Sequence, residues 1–367
     1  RSDIEDAESG INPGDVVEVY SHRNRFLGKG YYNPASQITV RMLTRNDEDI
    51  NYDFLYKRIL SAWEYRKRVA DPDSCRVIFA ESDFLPALIV DKFSDILVMQ
   101  TLALGIDRYK NEIVEILNDI IRPGGIYERN DVPVRELEGL PQQKGFLSEP
   151  FDTQVPMAEN GIKFMVDVEN GQKTGYFLDQ KENRAAIAPL VRGGRVLDCF
   201  SHTGSFALHA AHYGAEEVIG ADISAHAIEC ARHNAELNGF ENTVRFVEAN
   251  VFDLLRGYAD REERFDVVIL DPPAFAKTKS ALGGAIRGYK EINLRAMKII
   301  KEGGFLVTCS CSQHVDNGLF MNIVFDAAHD AHKNLRMLEF RTQAKDHPIL
   351  LASAETQYIK CIILQVF

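Results

Sequence analysis

The 367-residue chain contains no run of about 18 apolar residues, so no membrane-spanning helix and no membrane partner are expected. Its start, Arg1-Ser2-Asp3-Ile4-Glu5, lacks the basic-then-apolar layout of a signal peptide, and its cysteine usage reads as reduced thiols of a cytoplasmic protein. There is no initial Met, and we expect a further natural segment ahead of Arg1. Six cysteines occur without a CxxC pair or regular spacing, which argues against a disulfide framework or a zinc site, and no metal is expected. Excess positive charge is lacking as well. Lys and Arg total 42 against 54 Asp and Glu, a net −12 that weighs against a nucleic-acid partner because phosphate contacts need cations. The deficit is uneven: Lys57, Arg58, Arg66, Lys67 and Arg68 stand close together with only Glu64 opposing them. A local basic stripe of this kind can hold RNA on an acidic protein. No internal repeat or low-complexity tract is present.

What is there reads as two or three domains, since this length exceeds one ordinary core. Short β-rich runs at 15–20, 26–32 and 38–43, separated by turn residues, predict a small barrel-like unit over 1–50. Phe54, Leu55, Ile59, Ala62 and Trp63 give a helical stripe across a linker helix at 51–70. Residues 71–170 read as an α+β module, with strands at 75–79, 87–92, 96–100, 125–129 and 162–166 and a helix at 109–121. From 171 to 367 the rhythm becomes strand–helix alternation, the pattern of an α/β doubly wound sheet. Its parallel strands are expected at 196–200, 218–222, 244–247, 267–270 and 305–308, with 335–340 and 358–366 closing it as an edge hairpin.

Ligands of such sheets bind beyond the carboxyl ends of the strands, beside the first one. There the chain reads Asp198-Cys199-Phe200-Ser201-His202-Thr203-Gly204-Ser205-Phe206. A dinucleotide fingerprint would carry three glycines here, so no close approach of a pyrophosphate is provided for. An acid opening such a loop suits S-adenosylmethionine, whose amino-acid end is cationic. Asp198 would face its amine, with Phe200, Gly204 and Ser205 around it. Asp222, ending the second strand, would accept from ribose hydroxyls, and Asn250, after the third, would contact adenine. Any acid at a strand end can instead cap a helix. Upstream, Gln172, Thr174, Phe177 and Asp179 lie in a polar turn leading into a helix; composition alone reads equally as a loop with Asp179 as its cap.

A second constellation follows. Asp271-Pro272-Pro273-Ala274-Phe275 closes one strand, and Thr308-Cys309-Ser310-Cys311-Ser312 closes the next after a Gly303-Gly304 turn. A thiol near an acidic loop, beside that cofactor, points to covalent attack on a pyrimidine ring. Without the thiol, Asp-Pro-Pro-x-Phe reads equally well as the loop of a purine-nitrogen methyltransferase. Between these stretches, Lys279, Gly283-Gly284, Arg287, Tyr289 and Lys290 read as a mobile basic segment, either RNA-contacting or simply solvated.

Gly30 to Ile38, Thr174 to Arg184, Leu197 to Phe206, Asp271 to Phe275, Arg287 to Asn293, Ser310-Cys311-Ser312 and Asp346-His347-Pro348 together resemble, over essentially the whole chain, the bacterial 23S ribosomal RNA cytosine-5 methyltransferases with an N-terminal PUA domain. The resemblance implies a PUA domain, an α+β middle domain and a class I methyltransferase domain, with 23S RNA as partner. It also implies that members can pair as homodimers and that a first PUA strand precedes Arg1. In RNA cytosine-5 methyltransferases the nucleophile follows the second glycine of the turn by seven residues; from Gly304 that is Cys311, leaving Cys309 to the core. Asp271 would hold the cytosine edge and border the cofactor, Phe275 would stack on the base, and Arg58 and Arg66 would join the basic loop in binding RNA. The chain departs from other cytosine-5 enzymes in having no second Cys near Asp-Pro-Pro, so the base that removes the carbon-5 proton is not assigned. A rival of another class is an RNA-binding or ribosome-assembly factor without turnover.

Overall fold

The structure is a computed structural model that describes residues 4, 6–276 and 278–367. It divides into two compact units, each built from separated stretches of chain. The first comprises the residues up to Ala158 together with Met165–Leu178 and Lys345–Thr356. The second comprises Glu159–Phe164, Asp179–Ala344 and Gln357–Phe367.

In the first unit, β1 (Val16–Tyr20), β2 (Phe26–Tyr32) and β3 (Val40–Thr44) form an antiparallel sheet. Helix α1 (Tyr52–Val69) follows, because Asn51 caps it by accepting the Phe54 amide at 3.1 Å and a regular apolar stripe follows the cap. That stripe, Phe54, Leu55, Ile59, Ala62 and Trp63, is buried as its period predicts. Each fully buried Leu or Ile there contributes about 1.5–3 kcal/mol. Beyond it, β4 (Ser74–Phe79), β5 (Leu88–Phe93), β6 (Ile96–Thr101), β7 (Gly125–Asn130) and β8 (Gln143–Phe146) form a five-stranded sheet in chain order. Helix α2 (Lys110–Ile120) precedes β7, and the β6–β7 pair is the parallel one. The short polar strand β8 carries no apolar alternation and was not expected from the sequence; β7 supplies its hydrogen bonds.

Residues 345–356 latch onto this unit. Asp346 accepts the Arg76 amide at 2.9 Å, and His347 packs on Phe79 with ring centroids 5.2 Å apart. The motif Asp346-His347-Pro348 thus serves the packing of the first unit. A two-stranded ribbon, β9 (Gln154–Glu159) with β10 (Ile162–Asp167), carries the chain onward.

The second unit holds a seven-stranded sheet of β11 (Arg195–Cys199), β12 (Glu217–Asp222), β13 (Val244–Glu248), β14 (Phe265–Leu270), β15 (Ile300–Ser310), β16 (Leu335–Arg341) and β17 (Lys360–Val366). Their order is β13-β12-β11-β14-β15-β17-β16, so the order reverses beside β11, and the expected doubly wound class I sheet is present. The first five strands run parallel; β17 is antiparallel to both β15 and β16. The expected edge hairpin is present as the antiparallel β17–β16 pair: β16 is the outermost strand, and β17 joins it to β15, with its apolar run Cys361-Ile362-Ile363-Leu364 buried. Helices α3 (Lys181–Ala186), α4 (Ser205–His212), α5 (Ala225–Asn238), α6 (Val251–Asp260), α7 (Leu282–Ile299) and α8 (Asn317–Ala331) complete it. The basic glycine-rich segment expected to be mobile is the start of α7: Gly283 and Gly284 fall in its first turn, and the burial of Ala285, Tyr289 and Ile292 outweighs their poor helix propensity. No helix among the described residues is long and apolar enough to cross a membrane.

Candidate active site in the second unit

The loop after β11 is held in an unusual conformation. Phe200, His202 and Gly204 have φ of 63°, 50° and 85°, an alternation that only tertiary contacts can impose on Phe and His. Gly204 is obligatory: a Cβ there would lie 2.7 Å from the Phe246 ring. Asp222 fixes the loop from the end of β12, its carboxylate accepting from the His202 and Ser224 amides, each at 2.9 Å. Ser205 opens α4 and is buried.

Asp198 lies under this loop, 1% exposed. Its Oδ2 accepts the Ala207 amide at 2.9 Å, whereas Oδ1 has no hydrogen bond of ordinary geometry. Burial pushes its pKa up to about 8; the Ser201 hydroxyl opposes the rise, and the charges of Asp271 and Asp222 add to it. Three carboxylates therefore influence one another around this loop, one of them buried and short of a partner. That is an anionic cradle without a pyrophosphate grip, and it fits the cationic amino-acid end of S-adenosylmethionine.

The other expected cofactor contacts divide between the units. Gln172, Thr174 and Phe177 belong to the first unit. There Gln172 is exposed, the Thr174 hydroxyl donates to Asp91 at 2.6 Å, and the Lys173 ammonium sits 4.5 Å from the Phe177 ring centroid. In the second unit, buried Asp179 accepts the Tyr358 hydroxyl at 2.6 Å. Asn250 caps α6, its Oδ1 accepting the Phe252 amide at 2.9 Å.

Asp271 follows β14 and accepts from Gln180 Nε2 at 2.8 Å. Gln180 is itself held by Asn183 at 2.6 Å, and Asn183 by Arg341 at 2.9 Å. Nothing local singles out Gln180, which precedes α3, or Asn183, within it; their partners are 91 and 158 residues away.

The two cysteines at the end of β15 differ sharply. Cys309 is 1% exposed and stands directly opposite Cys361 across the β15–β17 pair. Its hydrogen bond with Cys361 and its burial push the thiol well above the ordinary range; the charge of Asp271 adds to this, and Gln180 opposes it. Cys311 is half-buried, and its Sγ lies 3.8 Å from the Pro272 carbonyl oxygen. Ser312 fixes this corner by accepting the Ala276 amide at 3.2 Å and bonding the Tyr289 hydroxyl at 2.9 Å.

Several expected RNA contacts need correction. Tyr289 is fully buried in α7, its ring 4.7 Å from Phe275 and 5.5 Å from Phe320, so it supports the loop and cannot meet RNA. Phe275 is half-buried in that cluster, with Phe252 and Phe200 at 6.2 and 6.3 Å. Arg66 is fully buried in the first unit, bound bidentately to Asp83 and donating to the Arg76 and Asp346 carbonyls at 2.8 and 2.9 Å. It is a structural ion pair: Arg66→Ala is expected to cost about 3–5 kcal/mol of stability, read as a lowered denaturation midpoint. Lys279 and Arg287 are exposed, and Lys290 is paired with Asp330 at 2.7 Å. Arg58 is half-buried, 4.4 Å from the Phe54 ring centroid, and with Arg45, Lys57 and Tyr65 lines a 970 Å³ cavity of the first unit.

Comparison with known proteins agrees with this geometry. The S-adenosylmethionine-dependent methyltransferase family model matches residues 143–349, and a PUA-like domain model matches 1–45. Ribosomal RNA large subunit methyltransferase I of Photobacterium profundum is 46% identical over 95% of this chain and 89% of that protein. The protein of the same name from Aeromonas salmonicida is 41% identical over 99% and 93%. Among solved structures, a methyltransferase complexed with SAH superposes with a TM-score of 0.83 at 20% identity, covering 97% of this chain and 93% of that one. An S-adenosylmethionine-dependent methyltransferase from Streptococcus mutans gives 0.82 at 20% identity, covering 98% and 93%. The chain belongs to the ribosomal RNA large subunit methyltransferase I family of S-adenosylmethionine-dependent methyltransferases.

Proposed function

We propose that the protein methylates carbon 5 of a cytosine in 23S ribosomal RNA through a covalent adduct on Cys311. The large-subunit RNA is the substrate in the names of its relatives, and the thiol carries the finer reading. Of the two cysteines ending β15, Cys311 is the half-buried one beside the Asp-Pro-Pro loop, while Cys309 is sealed against Cys361.

Carbon 5 of cytosine is a weak nucleophile. Addition of the Cys311 thiolate to carbon 6 pushes the ring electrons onto carbon 5 as an enamine. S-adenosylmethionine, bound at the β11 loop, supplies an electrophilic methyl group on its sulfonium. Asp271, steadied by Gln180, holds the ring edge and favours the protonated nitrogen 3. Loss of the carbon-5 proton to a base returns the electron pair to the ring and expels the Cys311 thiolate. Asp198 receives the cofactor's amine and Asp222 its ribose hydroxyls. Arg58, Lys279 and Arg287 supply phosphate contacts. The cytoplasmic setting and pairing of two copies belong to the same proposal.

The test is incubation with a 5-fluorocytosine-bearing ribosomal RNA fragment and cofactor. Fluorine blocks the final proton loss, so a denaturation-resistant adduct is expected, and it is absent in Cys311→Ala. Methyl transfer that survives Cys311→Ala returns the reading to a purine nitrogen. No transfer to any RNA favours a non-catalytic assembly factor.

A further inference from the structure

β17 opens with a charged residue ahead of the apolar run Cys361-Ile362-Ile363-Leu364. Lys360 is 3% exposed, and its Nζ donates to the carbonyls of Ser312, at 2.8 Å, and Tyr358, at 3.0 Å. Neither partner carries charge, and no carboxylate lies within ion-pair distance of it among the described residues. Burying an ammonium on carbonyls alone is costly, and natural proteins keep such a group where an anion needs it. Lys360 pairs in register with Ser310, and the carbonyl it grips belongs to the residue after Cys311.

We propose that Lys360 is a positioning residue for Cys311: it pins the main chain at Ser312 and supplies the positive charge that favours the thiolate. The inference rests on Cys311 being the attacking thiol. Burial lowers the Lys360 pKa to about 8, with the Cys311 and Asp316 charges opposing the fall. The coupling is reciprocal: a thiolate that stabilises the ammonium is stabilised by it to the same extent. The other titratable groups around this corner do not replace that charge. Asp316 is exposed and engaged in capping α8 through the Leu319 amide at 2.8 Å. Tyr289 is neutral, its pKa raised by burial, and Asp271 is an acid that disfavours a thiolate.

The experiment is the pH profile of Cys311 alkylation by iodoacetamide, followed by peptide mass spectrometry in a Cys230→Ala background, Cys230 being another partly exposed cysteine. Lys360→Met is expected to raise the midpoint by about one pH unit and slow alkylation near neutrality roughly tenfold, with Lys360→Arg restoring both. Lys360→Gln, which keeps a donor but no charge, serves if the Met variant melts early. A midpoint in the neutral variants within about 0.3 unit of the parent overturns the proposal. The 5-fluorocytosine adduct reports separately. A shifted midpoint without an adduct sinks the cytosine reading alone; an adduct without a shift sinks only the role of Lys360.

Discussion

Replacing Cys311 with alanine is expected to cut methyl transfer by at least about 10⁴-fold, while Cys309→Ala stays within about tenfold of the parent. The enamine at carbon 5 exists only while a sulfur is attached to carbon 6, so loss of the nucleophile removes the pathway itself. Cys309 is already shielded, and its thiol is held protonated by Cys361 and by burial. Its truncation is felt as a small cavity, about 1–2 kcal/mol of stability. Single-turnover methylation of ribosomal RNA measures the first effect, and calorimetry with S-adenosylhomocysteine checks that binding is intact. Activity retained by Cys311→Ala and lost by Cys309→Ala would reverse the assignment.

Asp198→Asn is expected to weaken S-adenosylmethionine about 100-fold, or near 3 kcal/mol, and to make the ligand-free protein more stable at alkaline pH. Both follow from a folded-state pKa of about 8, against 3.8 for a free aspartate side chain. Between those values the ligand-free fold holds a proton that the unfolded chain has released. Its stability therefore falls as pH climbs from about 4 towards 8, by an amount on the order of 5 kcal/mol when complete. Asparagine keeps an acceptor for the Ala207 amide and abolishes this dependence. A cationic ligand requires the ionised carboxylate, so binding to the parent releases a proton and tightens about tenfold per pH unit until the cofactor's own amine begins to deprotonate near 8. Thermal melts from about pH 6 to 9, and calorimetry in buffers of different ionisation enthalpy, read the two effects. A parent protein that binds without proton release is incompatible with this account.

The parts of the site legible in the sequence were those encoded locally. The acid at the end of β11, the single Gly204 and the spacing from Gly304 to Cys311 are matters of register along one strand and its loop. Charges and aromatics were misread where a distant partner claims them. Arg66 looks like part of a basic stripe until Asp83 and Asp346 arrive from elsewhere in the chain. Tyr289 follows two glycines that suggest a loop, and only burial against Phe275 and Phe320 makes that stretch a helix. Lys360 had a local signal, a lone cation opening the apolar run Cys361 to Leu364, but its meaning depends on the sheet placing β17 beside β15.

The interleaving of the two units has a consequence for synthesis. The first unit draws in Lys345–Thr356, and the sheet of the second is split between β15 and β16 until β17 enters at Lys360. As the chain emerges from the ribosome, segments made early have to wait, with apolar faces open, for Lys345–Thr356 and for β17. A chain cut before Lys345 therefore leaves both units unfinished, whereas one cut between Thr356 and Lys360 lacks only β17 of the second.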